Sequence, residues 1–165
     1  MERNILLTIE YDGSGFAGWQ RQPDVRTVQG EIEAALSRVC GIPVAVNGTS
    51  RTDAGVHALG QRASFKGDFG IPVEKIAFAA NNILSGGGRL GAVRGDVRIL
   101  KAEEVPADFH ARFDAVGKKY RYIIENTPEV NIFRRKYCYN VDRPLDADAM
   151  RRAAAYVTGT RDFAS

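Results

Sequence analysis

The sequence predicts an α+β fold: an antiparallel four-stranded sheet with two helices on one face, followed by the start of a second α+β half. Three observations predict it. Apolar residues recur with period two in several short runs and with helical period in two longer ones. Over residues 1–105 those runs fall in the order β-α-β-β-α-β, the ferredoxin-like split βαβ arrangement. Beyond residue 105 the pattern changes, and 106–165 reads as connecting strands and the beginning of a second domain.

The first strand is predicted from Ile5 to Tyr11, where Ile5, Leu7, Ile9 and Tyr11 alternate with Leu6, Thr8 and Glu10. Gly13-Ser14-Gly15-Phe16-Ala17-Gly18 then matches GxGxxG in form. The match fails on context, because a dinucleotide fingerprint must open a helix and Trp19-Gln20-Arg21-Gln22-Pro23 follows instead. The segment reads as a long ordered loop. Its Phe16, Trp19, Arg21 and Gln22 offer a stacking and phosphate surface; equally, Trp19 caps the core. Thr27 is a good N-cap for a helix whose Val28, Ile32, Ala35, Leu36 and Val39 share a face, ended by Gly41 and Pro43. Val44 to Gly48 predicts strand two and Gln61 to Phe65 strand three. After the turn Gly67-Asp68-Phe69-Gly70, Pro72 starts a second helix to about Leu84, with Val73, Ile76, Ala77 and Ala80 facing inward. Ser85-Gly86-Gly87-Gly88 reads as a flexible linker or loop, and strand four follows from Val97 to Ala102. RNA-recognition domains share this element order, but Lys66-Gly67-Asp68-Phe69-Gly70 imitates only the start of their aromatic motif, and Asp68 spoils it.

In the second part, Val116 to Glu125 predicts a long strand with Tyr120, Tyr122 and Ile124 on one face and Lys119, Arg121 and Ile123 on the other. An aromatic face beside a basic one suits a nucleic-acid groove; it also describes any amphipathic strand with a solvated side. Arg134-Arg135-Lys136 is a short basic cluster, Tyr137 to Val141 a further strand, and Pro144 opens a last helix with Leu145, Met150, Ala153, Ala154 and Val157 apolar.

The chain has 165 residues, 44% of them hydrophobic and 26% charged, ordinary for a globular protein with a real core. A net charge of +3 permits a polyanionic partner without demanding one. Cys40 and Cys138 lack paired spacing, which fits free thiols in a reducing, cytoplasmic setting. The two histidines, His57 and His110, have no metal-ligand partner at helical spacing, so no metal site is expected. Neither a signal peptide nor a membrane-spanning run is expected.

The stretch richest in chemistry is Ser50-Arg51-Thr52-Asp53-Ala54-Gly55-Val56-His57, between strands two and three. A plain hairpin needs two to five turn residues, whereas this loop brings together a carboxylate, a guanidinium, a hydroxyl and an imidazole. Arg51 can pair with Asp53 and keep it ionised, as a nucleophile must be. Alternatively, Asp-Ala-Gly is ordinary turn chemistry and Arg51 a solvated neighbour.

Arg51-Thr52-Asp53-Ala54-Gly55-Val56-His57 resembles the signature of the TruA family of tRNA pseudouridine synthases. The resemblance extends to Glu10-Tyr11-Asp12-Gly13, Gly18-Trp19-Gln20-Arg21-Gln22, Phe109-His110-Ala111-Arg112-Phe113, Lys119-Tyr120-Arg121-Tyr122 and Asp162-Phe163-Ala164-Ser165, nearly end to end. Two features depart from the family pattern: Ser50 stands where glycine is usual, and Ser85 to Gly95 is longer and richer in glycine. The resemblance implies isomerisation of uridine to pseudouridine in the anticodon stem-loop of tRNA, at positions 38, 39 and 40, by a homodimer that needs no organic cofactor or metal. It implies Asp53 as the catalytic residue, Arg51 as its partner and holder of the flipped state, and Tyr120 as the ring stacked on the base. Arg21, Arg112, Lys118, Lys119 and Arg134 are the expected phosphate contacts, and His57 and His110 structural hydrogen-bonders. It also implies a catalytic cleft between two domains, of which this chain resembles the first and the start of the second. A non-catalytic RNA-binding module and a small-molecule hydrolase on the same scaffold are the competing classes.

Overall fold

The computed structural model describes residues 2–86 and 95–163. The chain divides into two compact units, Met1–Lys118 and Lys119–Ser165. In the first, β1 (Arg3–Tyr11), β2 (Asn47–Gly48), β3 (Ala58–Gly67) and β4 (Val97–Val105) form one antiparallel sheet in the order β2-β3-β1-β4, joined by α1 (Val28–Cys40) and α2 (Val73–Leu84). The ferredoxin-like α+β arrangement expected from the element order is present.

Strand β1 lies at the centre because it pairs on both sides, Ile5 with Phe65 of β3 and Ile9 with Ile99 of β4. Its Ile5, Leu7, Ile9 and Tyr11 are buried with Val28, Ile32 and Leu36 of α1 and Ile76 and Ala80 of α2. The period-two stripe of the strand thus meets the 3.6-residue stripes of the helices, and each supplies the apolar surface the other removes from water. Thr27 caps α1 by accepting the Gly30 N–H. At the register shift between β1 and β4, the Asn81 side chain of α2 takes the place of a strand: Oδ1 accepts from Ile99 N and Nδ2 donates to Ile99 O, both at 2.8 Å. The other face of the sheet is crossed by residues 106–111. Asn4 Nδ2 donates to Pro106 O and Phe109 O, and Ala111 N donates to Ser64 Oγ.

Three strands are shorter than the sequence predicts, among them the run expected from Tyr137 to Val141, of which only Tyr139–Asn140 pairs. Val44 and Val46 are buried but outside the ladder, because α1 takes their backbone groups: Ser37 Oγ accepts from Val44 N at 2.9 Å and Glu33 Oε1 from Val46 N at 3.0 Å. In the second unit, the run expected as a strand from Val116 contributes only β5 (Ile124–Glu125), paired in parallel with β6 (Tyr139–Asn140). Alternating side chains make a strand only where a neighbour receives the backbone groups, and here the ladder ends after two pairs. α3 (Ala147–Ala154) starts at Asp146, which caps Asp148 N and Ala149 N, two residues beyond the expected Pro144. None of the described residues of the second unit is buried, the apolar residues of α3 included. The Ser85–Gly95 connection falls largely on residues outside those described. Among the described residues no helix is long and apolar enough to cross a membrane.

The unequal burial sets an expectation for unfolding. Ile9→Ala removes a fully buried side chain and is expected to cost about 2–5 kcal/mol, whereas Tyr156→Ala, at an exposed site, shifts stability by less than about 0.5 kcal/mol. Urea unfolding of both variants checks this; equal effects contradict it.

Candidate active site

The 49–57 loop leaves the sheet as β2 ends and returns as β3 begins, and both flanks are tied down. Arg62 O accepts the Thr49 N–H at 2.8 Å, and the Gln61 side chain donates to Ser50 O at 2.6 Å. Farther along, the hydroxyls of Tyr11 and Thr52 share a hydrogen bond of 2.8 Å, and Trp19 N donates to Thr52 O at 2.9 Å. The tip is a turn closed by Val56 N donating to Asp53 O at 3.2 Å, with Gly55 at φ +79°.

The glycines of the 13–18 segment explain how two loops pack so closely. A Cβ on Gly13 would lie 2.1 Å from Val56 O, and one on Gly18 would lie 2.8 Å from Thr52 O. Gly18 also has φ +97°, a conformation other residues rarely adopt. The GxGxxG-like spacing therefore serves backbone-on-backbone contact with the Asp53 loop. Phe16 and Trp19 are both buried, so the aromatic surface considered for this loop is core. The Arg26 guanidinium covers the Phe16 ring at 4.2 Å and bonds to Glu31 and Asp96 at 2.7 Å each. Burial works against its charge, but those hydrogen bonds outweigh it and hold its pKa above the ordinary arginine value.

His57 sits where the loop enters β3. Its Nδ1 lies 3.1 Å from both Gly13 N and Asp12 Oδ1. A neutral ring accepts from Gly13 there, and a protonated ring donates to Asp12. Either way it ties the loop to residues 12–13, to the Gly13 backbone or the Asp12 carboxylate, the hydrogen-bonding role expected of it. His110 Nδ1 likewise accepts from Arg112 N at 3.1 Å.

Against this fixed backbone, the Asp53 side chain is exposed and forms no ion pair among the described residues. The pairing with Arg51 expected from their spacing is not formed. Both side chains are solvated, and water competes well with a surface ion pair. Arg21 lies on the neighbouring loop, its Nη1 3.2 Å from Glu33 Oε2. Arg112 and Lys118 are exposed on the first unit. Lys119, Tyr120 and Arg134 belong to the second, where Tyr120 is exposed and Arg134 pairs with Glu125 Oε1 at 3.0 Å. Sequence reasoning passed over Tyr11 as a support for Thr52, and Gln29 and Glu33 as a polar hub on α1. The available signal for the hub was a Gln-Glu pair four residues apart beside the Val28-Ile32-Leu36 stripe.

The packing of the two loops yields a direct expectation. Gly13→Ala forces backbone apart and should destabilise the first unit by about 1–3 kcal/mol, with faster hydrogen exchange at Val56 N–H. Tyr11→Phe, which removes one hydrogen bond, should cost about 1 kcal/mol. Denaturant titration with amide exchange measures both; a neutral Gly13→Ala contradicts the packing.

A family model described as tRNA pseudouridine synthase matches residues 7–114. The chain is 46% identical over 163 residues to tRNA pseudouridine synthase A of Caldicellulosiruptor bescii, covering 99% of this chain and 63% of that protein. It is 47% identical over 163 residues to the protein of the same name from Brevibacillus brevis, with the same coverage. With the one from Bacillus pumilus it shares 45% over 165 residues, covering 98% of this chain and 62% of the relative. The chain thus spans about 63% of the length of the curated relatives it matches. On the match over residues 7–114 and these identities, the chain belongs to the tRNA pseudouridine synthase family.

Proposed function

We propose that the protein is a tRNA pseudouridine synthase acting on uridines 38–40 of the anticodon stem-loop, with Asp53 as the residue that starts the reaction. The observation that carries this reading is an exposed carboxylate on a loop whose neighbouring backbone is held on both sides, in a chain of this family. A catalytic group works best where the chain around it is fixed before substrate arrives.

The isomerisation breaks the bond from uracil N1 to ribose C1′ and makes one from C5 to C1′; C5 gives up a proton and N1 gains one. The uridine must first leave the base stack. Arg51, two residues from Asp53, takes the phosphate or the vacated space beside the flipped nucleotide. The Asp53 carboxylate then initiates glycosidic cleavage as nucleophile or base. The uracil turns and rejoins through C5, with Tyr120 stacked on it and its hydroxyl available for the C5 proton. Arg21, Arg112, Lys118, Lys119 and Arg134 meet the RNA backbone, which makes binding fall with salt. The full-length protein works as a homodimer in the cytoplasm.

Tritium release from tRNA labelled at uridine C5 tests the assignment. It is run on this chain and on this chain fused to the remaining C-terminal segment of the Brevibacillus brevis relative. Release that Asp53→Asn lowers at least a thousandfold, about 4 kcal/mol of barrier, supports the reading. Release unchanged by Asp53→Asn, or none from either protein, overturns it.

A further inference from the structure

Glu33 is a charged residue in a place where charge is costly. It lies on the inner side of α1 with its side chain only 7% exposed, yet it is far from the Asp53 loop in sequence and no part of the proposed chemistry uses it. Its two carboxylate oxygens do different work. Oε1 accepts from Gln29 Nε2 at 2.9 Å and from Val46 N at 3.0 Å, and so supports the segment leading into β2. Oε2 accepts from Arg21 Nη1 at 3.2 Å. A neutral amide oxygen would serve the first purpose as well. Only the second needs the charge.

Arg21 is held at both ends of its residue. Its backbone N–H donates to Gln29 Oε1 at 2.9 Å, its stem passes over Gly30, and its Nη1 donates one hydrogen bond to Glu33 Oε2. The side chain is nevertheless 69% exposed, so a guanidinium with five donors gives one edge to Glu33 and keeps the rest toward solvent. The N-terminal turn of α1 does not compete for an anion here. Val28 N and Gln29 N donate to Gly18 O and Trp19 O, and Gly30 N and Glu31 N to Thr27.

We infer that Glu33 is a positioning residue: its buried carboxylate fixes the Arg21 guanidinium in a set orientation, and the exposed edge of that guanidinium grips a phosphate of the bound RNA. The inference rests on the RNA-binding part of the proposed function. A planar fork already locked in place loses little freedom on meeting a phosphate, which is what the buried pair contributes.

The sign of one substitution separates this from simple electrostatics. Glu33→Gln keeps an amide oxygen for Val46 N and Gln29 but turns an N–H toward Arg21. It also makes the chain one unit more positive, which by charge alone raises affinity for RNA. The positioning role predicts the opposite: tRNA affinity at moderate salt falls about three- to tenfold, with thermal stability nearly unchanged. Arg21→Ala gives a similar loss and lowers the slope of log affinity against log salt by about one. The double variant is no worse than Arg21→Ala alone. Unchanged or tighter binding by Glu33→Gln, additive losses, or an unchanged salt slope for Arg21→Ala overturns the inference, as does absence of tRNA binding by the parent chain. An unchanged slope for Arg21→Ala overturns the inference whether or not Glu33→Gln folds. Binding that follows this pattern without C5 tritium release leaves the inference standing and sinks the synthase reading, so the two failures are distinct.

Discussion

The structure depends on one close approach: the backbone of the 13–18 segment against the backbone of the Asp53 loop. At Gly13 and Gly18 a side chain has no room, because carbonyl oxygens of Val56 and Thr52 occupy the space a Cβ would take. Trp19 N, Gly13 N and the Tyr11 hydroxyl then supply hydrogen bonds across the same contact. Loops of this length are ordinarily the mobile parts of a domain. Here each loop is the other's wall, and the wall is anchored in β1, one of the two strands with neighbours on both sides. The result is an exposed aspartate on a loop held by its neighbours, the support the proposed function asks for.

The same economy appears on α1. The helix takes over hydrogen bonds that a longer β2 would have made, through Ser37, Gln29 and Glu33. The shortening falls at the start of β2, so Val44 and Val46 stay in the core while Asn47 and Gly48 still pair with β3 and lead into the 49–57 loop. One buried carboxylate serves this backbone and an exposed arginine together, linking the packing of the helix to the surface proposed to meet RNA.

How much of this was legible in the sequence follows from range. The strands and helices of the first unit carry strong periodicity, so Ile5 to Tyr11 and Val28 to Val39 were readable from local pattern alone. The loop motif was readable too, because Arg51 to His57 is a dense and specific string. Interactions across many residues were not. Nothing local tells that Gly13 faces Val56, or that Glu33 bonds to Val46 rather than to water. Trp19 was ambiguous for the same reason: a lone tryptophan in a loop has no periodicity to place it, and only the tertiary packing buries it. In the second unit the alternation at Tyr120 to Ile124 is strong, but a strand is a relation between two segments, and β5 finds only two residues to pair with.

The measurement that tests the central claim most directly is the single-turnover rate of C5 tritium release by Gly18→Ala, taken alongside its tRNA affinity. If the backbone contact sets the position of Asp53, the rate falls at least tenfold, about 1.4 kcal/mol of barrier, while affinity falls by less than the rate because most of the proposed phosphate contacts, Arg112, Lys118, Lys119 and Arg134, lie outside these two loops. A folded Gly18→Ala variant that releases tritium at the parent rate contradicts the account.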